Sequence, residues 1–409
     1  MNKIINPGFR WLVLVTMFVV TATSSFFLIA PAPLTGEILK TMPQLSVGQV
    51  LIMTMTIFNI FVVVGAICGG PFLDKFGVMK LYIAGLIFIC IGALLTPFIG
   101  SSLGGMIFIR SLQGIGTGPI MVAVIPLAAT YFPVKLRSIL IVLQGLAVSL
   151  GVKIGLILIP RIFQTTQSWQ TAMAWLAPIS ILGLIFSFIV ALSSKQPEKE
   201  ISKTITPFKE DIKTALSKPV TWVVIACLAM YTWFYQAFND LIPTYLNAAS
   251  PAGLGYDPGI AGSLMSTASW IMICGAFIGV LITEKFLKGN ARPVVLAGFV
   301  LGAIFIYLIN IPAMASNHMI LGSCVCAIAF FSAFIQPQAL GYIAKYYPKH
   351  ITGTIGGLTA ISSFGGIAGV TASSKAMQIS GYQMSFNIMV GVAVIGALAA
   401  LFLKPVKEA

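Results

Sequence analysis

The chain has 409 residues, of which 58% are hydrophobic and only 8% charged, with a formal net charge of +14. That balance excludes a soluble globular domain, in which roughly 25% of residues are charged, and it points to an integral membrane protein. The basic excess is scattered over many short segments with no basic helix or interleaved aromatics, so it does not support nucleic-acid binding.

In chain order, apolar windows lie near 11–34, 48–69, 78–98, 104–130, 138–160 and 170–193. They reach the roughly 20 residues that a helix needs to cross a ~30 Å hydrocarbon core, whereas barrel strands are about 10 residues long with polar alternation. The first window follows Lys3 and Arg10; it is too long for a secretory leader and lacks a clear small-residue cleavage site, so it is read as a retained span. Residues 194–218 then bring six lysines and four acids, the one long polar segment and a natural linker. A second set of windows follows near 220–246, 258–282, 292–312, 316–344, 352–374 and 382–403. The expected fold is all-α and integral to the membrane: 12 transmembrane helices in two six-helix bundles, 1–193 and 219–409. The six cysteines fall inside apolar runs without the histidine spacing of a metal site, and read as reduced packing residues.

Lysine and arginine accumulate in loops that stay cytoplasmic. With the N-terminus inside, 19 of the 24 basic residues fall on the cytoplasmic side, Lys40, Arg161 and Lys375 fall outside, and Arg110 and Lys153 lie within the membrane. Both termini and the linker are therefore expected to be cytoplasmic, in a multi-pass protein of the cell membrane.

The two halves repeat. At an offset of 210 residues, GAICGGPFLDKF (65–76) aligns with GAFIGVLITEKF (275–286), matching Gly65, Ala66, Gly69, Asp74, Lys75 and Phe76 to Gly275, Ala276, Gly279, Glu284, Lys285 and Phe286. Near 215, ATYFP (129–133) meets AKYYP (344–348) and Gly151 meets Gly366; near 212, Pro31 and Leu34 meet Pro243 and Leu246. Six intervening spans give both copies the same orientation, as for parallel repeats related by a pseudo-two-fold axis along the membrane normal.

In GGPFLDKFGVMK (69–80), Gly70, Asp74, Lys75, Gly77 and Lys80 carry the spacing of a signature loop, with Val78 and Met79 departing at positions that are usually basic. RSLQGIGTG supplies a second pattern, Arg110, Gln113 and Gly114. With the twelve spans, the duplication and the linker, the whole chain resembles the major facilitator superfamily of secondary transporters. The resemblance implies alternating access and a gating role for the signature loop. Gly70, Asp74, Lys75 and Gly77, with Glu284 and Lys285 in the second copy, are the expected gating residues. Asp74 is placed to meet Lys75, Arg137 or the amino end of a facing helix near Thr352 and Gly353, stabilising an outward-open state. The alternative is a solvated turn.

Ionisable groups inside a bilayer are costly and face a cavity or a partner. Arg110 and Lys153 lie on consecutive spans of the first half with no nearby acid in sequence, which suggests an anion site: Arg as a bidentate grip on a carboxylate, Lys as a point charge. The competing reading for Arg110 is a structural one. Gln113, Tyr231, Tyr235 and Gln336 complete the expected substrate contacts, against the alternative of interhelical pairing and packing. Asp240 is the expected proton-coupling group, or else an outer-mouth residue wetted by solvent. The fifth span lacks the Gly-Pro core that the family's drug/proton antiporters carry there. That favours uptake, so the reading is a proton symporter of a small organic anion, acting as a monomer in the lipid bilayer without cofactor, metal or catalytic residues. Anion exchange, drug or metabolite export, and a non-transporting sensor are the alternatives; no nucleotide loop or catalytic nucleophile suggests an enzyme.

Overall fold

A computed structural model describes residues 7–193, 208–248, 250, 253–311, 314 and 317–404. Among the described residues, the elements are helical and no β-strand occurs, as a hydrocarbon solvent demands of an open chain that must satisfy its own backbone. Eleven helical runs are long and apolar enough to span a bilayer. The first five are α1 (Pro7–Ile29), α2 (Gln49–Phe76), α3 (Val78–Ile99), α4 (Leu103–Tyr131) and α5 (Val134–Thr166). They are followed by α6 (Trp169–Leu192), α7 (Pro219–Asn247), α8 (Ile260–Phe286), α9 (Arg292–Ile309) and α10 (His318–Tyr346). The last run, Lys349–Ala400, is interrupted at Ser380 and Gly381, where Gly381 has φ 77° and ψ −177°. That break divides it into α11 (349–379) and α12 (382–400), and the expected twelve spans result.

Polar side chains cap the helices where the sequence places loops. Ser102 accepts from the Gly105 N–H at the start of α4, Ser168 from Thr171 at the start of α6, and Asn317 from Met319 and Ile320 at the start of α10. Of the expected linker at 194–218, residues 194–207 lie outside the described residues, as do both chain ends at 1–6 and 405–409. Phe208–Ser217 is a helix of ten residues.

The chain divides into two compact units, Met1–Ala215 with Tyr347–Ala360, and Leu216–Tyr346 with Ile361–Ala409. In the first, α4 packs along α2 and α3 while α1 packs along α5 and α6. The first half of α11, which by sequence belongs to the second set of spans, packs on α2 in this unit. In the second unit, α7 and α9 pack on the run that contains α11 and α12, and α8 and α9 pack on α10. The duplication reappears as a turn that interrupts α4 at Ala123 and α10 at Ala333, again 210 residues apart.

Within α11, a 3₁₀ turn at Ala360–Ser362 coincides with the passage of the chain from one unit to the other. Thr232 of α7 donates its hydroxyl to the Ser362 carbonyl at 2.6 Å, tying the end of this turn to α7 within the second unit.

Candidate functional site

Arg110 is the largest fully buried side chain in the described structure. Its Nε–H donates to the Thr54 carbonyl at 2.5 Å, and one terminal nitrogen donates to the Phe27 carbonyl and to Gln113 Oε1, both at 2.8 Å. The other terminal nitrogen donates to the Leu28 carbonyl at 3.3 Å, and the guanidinium lies 4.2 Å from the centre of the Phe58 ring. Two local irregularities supply these acceptors. Phe27 and Leu28 sit in the last turn of α1, where carbonyls have no partner within the helix and the helix dipole is negative. Thr54 lies in a π-helical turn, Ile52–Thr56, whose altered winding frees a carbonyl inside α2. Arg110 therefore ties α1, α2 and α4 together, and no carboxylate of the described residues pairs with it. Gln113 is also fully buried, with its Nε2 unpaired among the described residues.

Lys153 is half-buried on α5. None of the hydrogen bonds that hold Arg110 comes from it. Gln144, nearer the start of α5, donates to the Met121 carbonyl of α4 at 2.9 Å and is a strut between helices.

In the second unit, Tyr231 and Tyr235 stack one helical turn apart on α7, with ring centres 5.8 Å apart and planes 19° from parallel. Tyr231 is buried and Tyr235 half-buried. Asp240 is at the surface, two turns from Tyr231, with Ser374 Oγ donating to it at 3.5 Å. Gln336 is exposed on α10, whereas Gln338 is buried with an unpaired Nε2 among the described residues.

The signature loop is built around a hydrogen-bonded contact. Asp74 Oδ1 accepts the Gly353 N–H at 2.7 Å; Oδ2 accepts the Thr354 N–H at 2.6 Å and its hydroxyl at 2.8 Å. Gly353 and Thr354 are the second and third residues of the helix Thr352–Thr359, whose own N-cap position is Ile351, a side chain with no acceptor. Asp74 thus caps this helix from α2, meeting unsatisfied N–H groups and the positive end of the dipole together. Backbones must nearly touch for this reach: a Cβ on Gly70 would lie 2.5 Å from the Gly353 carbonyl oxygen. Gly77, at φ 86°, then turns the chain from α2 into α3. Lys75 is at the surface beside Phe76. In the second copy, the Glu284 carboxylate pairs with Lys345 Nζ at the end of α10, both side chains largely buried, and Lys285 is exposed.

The sequence model described as Major Facilitator Superfamily matches residues 12–358 and 247–409. The chain belongs to the major facilitator superfamily. Among curated members it is similar to the gallate transporter of Pseudomonas putida, 20% identical over 419 residues that cover 96% of this chain and 92% of that protein. It is also similar to the sodium-dependent phosphate transport protein 1, chloroplastic, of Arabidopsis thaliana: 23% identical over 352 residues, covering 81% of this chain and 67% of that protein. Among solved structures, the Escherichia coli fucose:proton symporter FucP matches with a TM-score of 0.76 at 14% identity, covering 98% of this chain and 99% of that one, a likeness of fold. This member of the major facilitator superfamily is accordingly a multi-pass membrane transporter with the twelve-helix fold.

Partners of three kinds in these sites were not named from the sequence. The carbonyls that hold Arg110 are backbone groups and leave no side-chain signal. The Thr354 hydroxyl is one of many in α11, and only its position three residues after Ile351 marks it as a helix-start donor. Lys345 is the one with a signal, since a base at the end of α10 is a natural partner for an acid at the end of α8.

Proposed function

We propose that this chain is a secondary active transporter that carries a small organic anion of the carboxylate type by alternating access, as a proton symporter. The observation that carries the anion reading is Arg110. It is a fully buried cation whose hydrogen bonds end on carbonyls and an amide, so its charge has no neutralising carboxylate among the described residues. In a low-dielectric interior, such a charge projects a positive potential that favours an anion nearby. The names of the relatives support it, since gallate and phosphate are both anions.

The hydrogen bonds of Arg110 support a division of labour. Arg110 acts through its field and as the tie between α1, α2 and α4, with Gln113 holding its orientation. Lys153 makes the direct contact, as a flexible point charge on α5. Tyr231 and Tyr235 on α7 and Gln336 on α10 are the remaining substrate contacts of this reading. Asp240, at the surface and held only loosely by Ser374, takes up and releases the coupled proton. The Asp74 cap on α11 is the gate of this reading: with both termini cytoplasmic, as the basic residues suggest, it stabilises the outward-facing state, and its release frees the other. Glu284 with Lys345 is the corresponding brace of the second copy.

The test is ligand-induced stabilisation of the purified chain by monocarboxylates, dicarboxylates, sugar acids, phosphate and neutral sugars. A raised unfolding midpoint with carboxylates, absent with neutral sugars, is the expected result. Stabilisation by neutral or cationic compounds alone would overturn the reading.

A further inference from the structure

On the surface of the second unit, α9 and α12 enclose an apolar groove of about 460 Å³. Its floor is Phe299, Ala303 and Ala393, all buried, and its walls include Ile304, Val394 and Leu398, all at the surface. From Leu296 to Leu308 along α9, the lining extends over about 18 Å of helix, close to the roughly 15 Å of hydrocarbon in one leaflet. The groove is polarised. At one end, Arg292 lies one turn before Leu296, and Lys404 lies three residues beyond Leu401, which also lines the groove. Neither base has an acidic partner among the described residues. At the other end, Asn310 and Asn387 hydrogen-bond to each other at 2.8 Å, a polar but uncharged rim.

We propose that this groove is a binding site for an anionic phospholipid of the cytoplasmic leaflet. One acyl chain lies between α9 and α12, and the headgroup phosphate is held by Arg292 and Lys404. The leaflet follows from the orientation read from the basic residues, and the chemistry follows from the site. An apolar channel one leaflet long ends in two unneutralised bases, and basic pockets between helices at the cytoplasmic face suit anionic headgroups. A second copy of this chain fits less well. A two-fold contact along α9 and α12 would set Arg292 and Lys404 against their own counterparts, like charge on like.

The test uses the full chain, delipidated in detergent, with phosphatidylglycerol or phosphatidylcholine of identical acyl chains, read by native mass spectrometry and thermal unfolding. Phosphatidylglycerol is expected to bind and stabilise the wild type well above phosphatidylcholine. The double variant Arg292→Gln/Lys404→Gln, altered only at the ends of helices, should lose affinity by roughly tenfold or more. Val394→Trp, a surface change that fills the groove, should weaken both lipids. Equal binding of the two lipids, or phosphatidylglycerol binding unchanged in the double variant, would overturn the proposal. So would a dimer cross-linked within bilayers that Val394→Trp abolishes, which would assign the groove to a second copy.

Discussion

The Asp74 carboxylate accepts both the backbone N–H and the hydroxyl of Thr354, at 2.6 and 2.8 Å, while its other oxygen takes the N–H of Gly353. One side chain of α2 therefore does for α11 what a local N-cap residue does for most helices. Hydrogen bonds to a charged group are worth about 1.5–3 kcal/mol each, so the contact can bias a two-state equilibrium strongly. Asp74→Asn removes the charge and turns an acceptor into a donor facing the Thr354 N–H. We expect a loss of about 2 kcal/mol from the state that holds this contact, roughly a 30-fold change in its population ratio. The measurement is alkylation of Ile355→Cys in a cysteine-free background, since Ile355 is buried here. Alkylation should accelerate in Asp74→Asn, and an unchanged rate would show that the cap is not a gate.

The backbone approach that permits this cap is as exacting as the charge. A Cβ on Gly353 would lie 2.6 Å from the Gly70 carbonyl oxygen and 2.7 Å from Asp74 Oδ1. Gly353→Ala should therefore push α11 off α2, at about 1–3 kcal/mol, and reproduce the Asp74→Asn accessibility phenotype with the carboxylate intact. Adding Asp74→Asn to Gly353→Ala should have little further effect, and full additivity in the alkylation assay would count against a shared contact.

Arg110 is predicted to matter for stability before it matters for substrate. Lysine keeps the charge, but a single ammonium cannot serve Thr54, Phe27, Leu28 and Gln113 together. With buried carbonyls left unpaired at about 1–3 kcal/mol each, Arg110→Lys should cost roughly 3 kcal/mol, read as a lower unfolding midpoint in detergent. A variant as stable as the wild type would contradict the scaffold role.

For Lys153 the expectation is reversed. Lys153→Ala should act on substrate more than on stability, weakening the apparent affinity for the transported carboxylate by roughly tenfold, the scale of one charge-assisted contact. Lys153→Arg should retain most of it. Normal affinity in Lys153→Ala would move the anion contact elsewhere.

The parts of this molecule written in long apolar runs and fixed spacings were legible in the sequence. The twelve spans, the repeat that reappears as matching turns at Ala123 and Ala333, and the Asp74 loop all rest on side-chain patterns. The Arg110 site was legible only in part. Its residue types suggested an anion grip, while its acceptors are carbonyls exposed by a helix end and a π-helical turn, which no side chain announces. The same holds for α11. Its 3₁₀ turn at Ala360–Ser362 and the grouping of Tyr347–Ala360 with the first unit are tertiary outcomes. Glu284 shows the limit of arguing from a repeat: it aligns with Asp74, yet it pairs with Lys345, a residue whose counterpart in the first copy is Thr130.

The most direct measurement of the central claim is uptake of carboxylates into proteoliposomes under an imposed pH gradient, an imposed sodium gradient, or neither. A proton symporter of this kind should accumulate a carboxylate down an inward proton gradient and lose that accumulation in Asp240→Asn, with counterflow exchange of the carboxylate retained in the variant. Accumulation driven by sodium alone, or movement of neutral or cationic solutes with no carboxylate uptake, would contradict it.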